Sequence, residues 1–269
     1  MKLRSLFLIL LLSTATSAQQ RLLVVGGGSR PPEAVKKFVE WSGGTKANIL
    51  VITWATAEPE ASFTALRENF STALPQVSIT HAAARPLDVQ KRAAFIEQLD
   101  QATGIFFSGG DQNRIMDVLA DEDLLQRLKK KYNSGTAFGG TSAGAAVMSD
   151  PMMTGEADLK ILDGSKVGVR KGLGLLPNVI FDQHFLVRQR HNRLFGLVMK
   201  NAHMLGIGID EGTAVLIEDN RRLTVSGKTQ VMTVHAKKFQ APYLVYFLNS
   251  GEAFDVEKRK PIQINRKRK

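Results

Sequence analysis

Gly135-Thr136-Ala137-Phe138-Gly139-Gly140-Thr141-Ser142-Ala143-Gly144-Ala145-Ala146-Val147-Met148 decides the reading of this chain. A strand-like run, Gly135 to Phe138, leads into Gly140-Thr141-Ser142-Ala143-Gly144, and helix-favouring residues Ala145 to Met148 follow. A serine between a strand and a helix, flanked by glycine, is the pattern of a nucleophile elbow. The glycines let the backbone cross itself without a Cβ clash, and the tight turn lifts the hydroxyl out of the sheet. The same turn aims the Ala143 N–H at the point where an oxyanion forms, with the positive end of the next helix behind it. Ser142 is therefore a candidate nucleophile and Ala143 a candidate oxyanion donor.

Upstream of the elbow, strand-like and helical stretches alternate. Leu22 to Val25 leads through Gly26-Gly27-Gly28 to a helix over Pro32 to Trp41, and Ile49 to Thr53 precedes a helix near Ser62 to Ala73. Val77 to Thr80 precedes Val89 to Leu99, and Ile105 to Phe107 precedes two helical stretches ending near Tyr132. Such alternation predicts an α/β fold with a mostly parallel sheet, helices on both faces and chemistry at the carboxyl ends of the strands. The triple glycine lacks the spacing of a dinucleotide fingerprint, because Ser29-Arg30-Pro31-Pro32 follow it, and it reads as a tight turn rather than a nucleotide site. Beyond Ser149 the expected strands are Lys166 to Arg170, Val179 to Asp182 and Leu205 to Ile209, with a helix over Phe185 to Asn201. Val215 to Glu218 and Arg222 to Val225 flank Asp219-Asn220-Arg221 as a hairpin, and runs at Gln230 to His235 and Tyr243 to Leu248 add antiparallel strands toward the C-terminus.

At the N-terminus, Lys2 and Arg4 precede the apolar run Leu6 to Leu12 and the small residues Ser13 to Ala18. That run is too short to span a bilayer and ends in a cleavage-like site, so residues 1–18 read as a signal peptide. Cleavage after Ala18 would leave one domain, residues 19–269, exported to the periplasm or beyond and without a stable membrane anchor. The chain has no cysteine, and about 250 residues suffice to bury a core without disulfides. Its net charge of +11 is concentrated in Lys258 to Lys260 and Arg266 to Lys269. These read as solvated ends, and neither zinc-finger spacing nor an aromatic RNA-binding strand is present to suggest nucleic acid.

A serine hydroxyl needs a base, and the base an orienting acid. Of five histidines, His81, His191, His203 and His235 have no supporting motif, whereas His184 ends the run Asn178 to Gln183 and so shares the sheet edge expected for Ser142. Glu211 closes the run Leu205 to Asp210 at the same edge, which favours it as the acid, with Glu156, Asp158 and Asp163 as competitors in the stretch after the elbow. Ser108-Gly109-Gly110-Asp111-Gln112 follows a strand, so Gly109 or Gly110 can supply a second oxyanion donor and Gln112 an amide toward substrate. Arg188, Arg190 and Arg193 crowd the expected start of a helix, where positive charge opposes the macrodipole. Their placement suits the gripping of a substrate carboxylate. This chemistry needs no metal or organic cofactor.

Taken together, Gly109 to Gln112, Gly139 to Met148, Asp182-Gln183-His184-Phe185, the spacing of the three arginines and Gly208-Ile209-Asp210-Glu211 resemble the serine peptidases of the cyanophycinase and dipeptidase E type. The resemblance runs from about Leu22 to Asp255. It implies a fold like that of class I glutamine amidotransferases (flavodoxin-like), a Ser142, His184 and Glu211 triad, and often a homodimer. It also implies substrate contacts from Gln112, Asp182, Gln183 and the three arginines. Such enzymes trim cyanophycin, a polyaspartate bearing arginine on each side chain, to β-aspartyl-arginine dipeptides. Related peptidases cut short acidic or isoaspartyl peptides, and a catalytically silent binder of anionic peptides is a third expectation.

Overall fold

A computed structural model of the chain describes residues 19–263. The expected leader at residues 1–18 and the basic residues 266–269 lie outside them. In chain order the first half comprises β1 (Arg21–Val25), α1 (Pro32–Trp41), β2 (Asn48–Ile52), α2 (Pro59–Ala73), β3 (Ser78–His81), α3 (Val89–Gln101), β4 (Gly104–Phe107), α4 (Gln112–Val118), α5 (Glu122–Asn133), β5 (Ala137–Thr141) and α6 (Ala143–Ala146). There follow β6 (Met152–Ala157), β7 (Val167–Arg170), β8 (Val179–Gln183), α7 (His191–Lys200), β9 (Leu205–Ile209), β10 (Thr213–Glu218), β11 (Arg222–Gly227), β12 (Val231–Lys237), β13 (Gln240–Leu248), β14 (Ala253–Asp255) and β15 (Lys260–Ile262).

β1, β5, β4, β2 and β3 lie parallel in a nine-stranded sheet of order β15-β14-β11-β10-β1-β5-β4-β2-β3, whose remaining strands pair antiparallel on the β1 side. The strands of its parallel centre read as unbroken apolar runs because both faces are buried. Alternate residues divide between the faces. Leu23, Val25, Ile49 and Val51 meet Phe38 of α1 and Phe70 of α2, while Leu22, Val24, Leu50 and Ile52 meet the layer formed by α3, α4 and α5.

The later strands divide in a way the run of motifs does not reveal. β8 and β9 pair in parallel and join β12 and β13 in a separate four-stranded sheet. Phe181, Leu205, Ile207 and Ile209 of this second sheet share a core with Leu22, Val24 and Phe107 of the first. α7 covers its far face through Leu194, Leu197 and Val198. In the stretch after the elbow, for which no strand is expected above before Lys166, Met152–Ala157 forms the strand β6, paired with β7. Among the described residues no helix is long and apolar enough to cross a membrane.

The expected helix over Phe185 to Asn201 is shorter, beginning at His191. His184 and Gln189 have φ of 49° and 51°, and the Arg190 N–H reaches back to the Phe185 carbonyl, so a turn occupies the interval. Asp210 Oδ1 holds that turn by accepting from the Leu186 and Val187 N–H groups, each at 3.1 Å.

Candidate active site

β5 delivers Ser142 with φ 53° and ψ −112°, a conformation that a non-glycine residue adopts only under constraint. The constraint is backbone crossing. A Cβ on Gly140 would lie 2.2 Å from the Gly144 carbonyl oxygen, and one on Gly144 would lie 2.2 Å from that of Phe107. Ser142 N–H donates to Val25 O at 3.1 Å, tying the turn to β1, and the Ala145 and Ala146 N–H groups donate to Ser142 O. The helix that follows is a single turn, Ala143–Ala146, shorter than expected above, so few peptide dipoles stand behind the Ala143 N–H. As the first residue of that turn, Ala143 has no intrahelical acceptor for its N–H.

His184 follows β8, and its Nε2 lies 2.8 Å from Ser142 Oγ. Its Nδ1 lies 2.5 Å from Oε1 of Glu211, which follows β9. The imidazole is buried (9 % exposed), while the Glu211 side chain is half-exposed (42 %). The triple glycine threads between them. His184 N–H donates to Gly26 O at 2.7 Å and Gly212 N–H to Gly27 O at 3.0 Å. A Cβ on Gly27 would fall 2.3 Å from His184 Cε1, and one on Gly28 would touch Glu211 Cβ at 3.2 Å. Gly27, read above only as part of a turn, is thus the seat of the imidazole ring.

Burial is the largest influence on His184 and lowers its pKa below the ordinary 6.5. The Glu211 hydrogen bond opposes this, and the positive charges of Arg188 and Arg190 reinforce it. The competing acids stand elsewhere: Asp158 accepts from Lys160 N–H, Asp163 from Ser165 N–H, and Glu156 lies on β6. His81 bonds Thr53 and stacks on Phe63, and His235 is buried on β12.

Gly109 lies against Ser142, since a Cβ there would be 3.4 Å from that of Ser142, whereas Gly110, at φ 135°, is packed onto the Ala55 carbonyl. Gln112 is buried with its Nε2 donating to Met153 O at 2.7 Å, so its amide fastens β6. The three arginines divide. Arg193 grips Asp182 through two hydrogen bonds, one of 2.9 Å, with both side chains fully inside. Arg190 donates to the Gln183 carbonyl at 2.7 Å and to its side-chain oxygen. Burial first, and then the charge of Arg193, pull the Arg190 pKa down to about 10. Direct substrate contact, expected of all five of these residues and Gln112, is therefore open chiefly to Arg188, which is exposed. Asp182 and Arg193 saturate each other, and that pairing had no signal in the sequence because it depends on where α7 begins. Arg30, overlooked above, joins Gly28, Ser62 and Gly109 around a cavity of about 250 Å³ against Ser142. Its position just beyond β1, at the sheet edge that carries the site, was the available clue.

An α/β fold with a serine elbow facing a buried histidine and a carboxylate defines a hydrolase that works through a serine nucleophile. The model of peptidase family S51 matches residues 22–225, and the chain belongs to that family of serine-type peptidases. It is 34 % identical over 208 residues to a cyanophycinase of Geminocystis herdmanii (75 % of this chain, 74 % of the relative). It is 35 % identical over 207 residues to a cyanophycinase of Synechococcus elongatus (76 % and 64 %). Peptidase E of Actinobacillus pleuropneumoniae is 31 % identical over 147 residues, covering 52 % of this chain and 60 % of its own. Among solved structures, a peptidase from an acI-B1 Actinobacterium superposes with TM-score 0.66 at 22 % identity, over 89 % of this chain and 98 % of its own, a likeness of fold.

Proposed function

We propose that this peptidase is an exopeptidase acting on cyanophycin, with Ser142 as nucleophile, His184 as base and Glu211 as its orienting acid. The observation that carries the reading is the unbroken line Ser142 Oγ, His184 Nε2, His184 Nδ1, Glu211 Oε1 at 2.8 and 2.5 Å. His184 Nε2 takes the hydroxyl proton as Oγ bonds to the scissile carbonyl carbon. The Ala143 and Gly109 N–H groups hold the oxyanion, and Glu211 stabilises the imidazolium. As the C–N bond breaks, the proton passes to the leaving amine. Water then repeats the sequence, giving its proton to Nε2 and its oxygen to the acyl carbon, and Ser142 departs with the proton restored. Arg188 offers a guanidinium to a substrate carboxylate, and the Arg193–Asp182 pair and Arg190–Gln183 contact brace the segment that carries His184.

Support for cyanophycin comes from the cyanophycinase relatives, each matched over three-quarters of this chain. The peptidase E similarity favours a second reading, cleavage of short acidic or isoaspartyl peptides. Purified protein assayed on cyanophycin and on free Asp-X dipeptides separates the two by rate. Ser142→Ala is expected to lose about three to six orders of magnitude in kcat on the true substrate, with chelator causing no loss. Retention of wild-type rate by Ser142→Ala would overturn the mechanism. Ligand capture with no labelling by a serine-directed reagent would mark a silent binder. We further propose export with a mature N-terminus at Gln19, a homodimer, and kinship with the class I glutamine amidotransferase fold. N-terminal sequencing of the exported protein and its native mass test the first two.

A further inference from the structure

Arg30 lies on the loop between β1 and α1, against the inner face of α2. Ser62, Leu66 and Asn69 recur at helical spacing there, so one stripe of α2 faces the loop. Arg30 Nε donates to Asn69 Oδ1. The same residue lines the cavity against Ser142 together with Ser62, Leu66, Gly28 and Gly109. Of the two guanidinium groups drawn inside beside His184, Arg193 is answered by Asp182, and Arg190 by the Gln183 carbonyl and amide with Asp182 3.9 Å away. Arg30 has no such answer: Glu33 shares an adjoining recess, yet no carboxylate among the described residues forms an ion pair with it. Burial alone shifts its pKa, downward, with no acidic group offsetting the loss of water. A half-buried cation lining the same cavity as Ser142, with donors left over after one neutral amide, is complementary to an incoming anion.

We propose that Arg30, with the Ser62 hydroxyl beside it, forms a second carboxylate subsite on the α2 side of Ser142, separate from Arg188 on the His184 side. The assignment rests on the peptidase reading above and deepens it. The bound peptide is held by carboxylates at two points around the scissile bond, which selects acidic peptides. If the carboxylate at Arg30 is the terminal one, it also sets cleavage one residue from the chain end.

The test uses a (β-Asp-Arg)3 oligomer, its C-terminal amide, and the oligomer with its arginine carboxylates amidated. Wild type is expected to favour the free acid over one of the two amidated forms by about tenfold or more in kcat/KM, carried by KM. In Arg30→Gln that preference collapses toward unity, and Arg30→Lys keeps part of it. The form whose disadvantage disappears identifies the carboxylate. Unchanged preference for every carboxylate in Arg30→Gln would overturn the subsite. Calorimetric binding of the oligomer to Ser142→Ala and to Ser142→Ala/Arg30→Gln decides independently of turnover: about tenfold weaker affinity in the double variant supports it, and equal affinity or no binding by either protein overturns it. Should Ser142→Ala hydrolyse like wild type, the catalytic reading falls while the binding comparison still judges Arg30.

Discussion

His184 sits where burial and neighbouring charge pull in opposite directions. Burial disfavours its charged form, the Glu211 hydrogen bond favours it, and Arg188 and Arg190 disfavour it again, with a net lowering. A general base acts when neutral, so kcat/KM should rise with pH through a midpoint below the ordinary 6.5 and then level off. Arg188→Gln removes a positive charge and should move the midpoint up, whereas Glu211→Gln should move it down and slow the reaction. A pH–rate profile measures both, and a downward shift in Arg188→Gln would contradict the electrostatics. Ser142, His184 and Glu211 were readable as site candidates because each stands within a few residues of the end of a strand-like run, and runs in parallel sheets end at one edge. The partners of Asp182 and Gln183 were not, since pairing across a turn leaves no periodicity.

Among the elements, the turn after β1 has the tightest tolerance. Gly27, at φ 124°, leaves no room for a methyl group beside the imidazole. Gly27→Ala should therefore keep the sheet but displace His184, lowering kcat by about 100-fold or more with an unchanged circular dichroism spectrum, because an ångström of misplacement is that costly. Near-normal turnover would show that the ring can sit elsewhere. Helix boundaries were less legible than strands. The amphipathic pattern of α7 extends back to Phe185, but φ values of 49° at His184 and 51° at Gln189 break it into a turn, and neither residue is a glycine that would announce this. β6 was hidden because only its first two residues, Met152 and Met153, are buried, and Thr154 to Ala157 carry no apolar alternation.

At the scale of the whole molecule, the site straddles two sheets. Ser142 rises from the nine-stranded sheet, His184 ends a strand of the four-stranded one, and Glu211 lies in the link from β9 to β10, which joins them. The spacing of Ser142 and His184 should therefore depend on the core between the sheets. Phe181→Ala there and Leu128→Ala on the buried face of α5 should each cost about 2–5 kcal/mol in denaturant unfolding. At a temperature where both variants are folded, Phe181→Ala should lose far more kcat. Equal losses would mean that the sheets hold their spacing without that contact. Local periodicity announced the β-α alternation. It could not announce that β8 and β9 leave the first sheet, because which strand a strand pairs with is not a local property.

The contrast in exposure between His184 and Glu211 has one more implication. The imidazole lies inward, while the carboxylate of Glu211 stands at the rim, within reach of water. If Glu211 is the orienting acid, Glu211→Gly should lose activity that dissolved formate or acetate, entering from the rim, restores in part. Added imidazole should restore a His184→Gly variant far less, since the ring it replaces is only 9 % exposed and packed against Gly27.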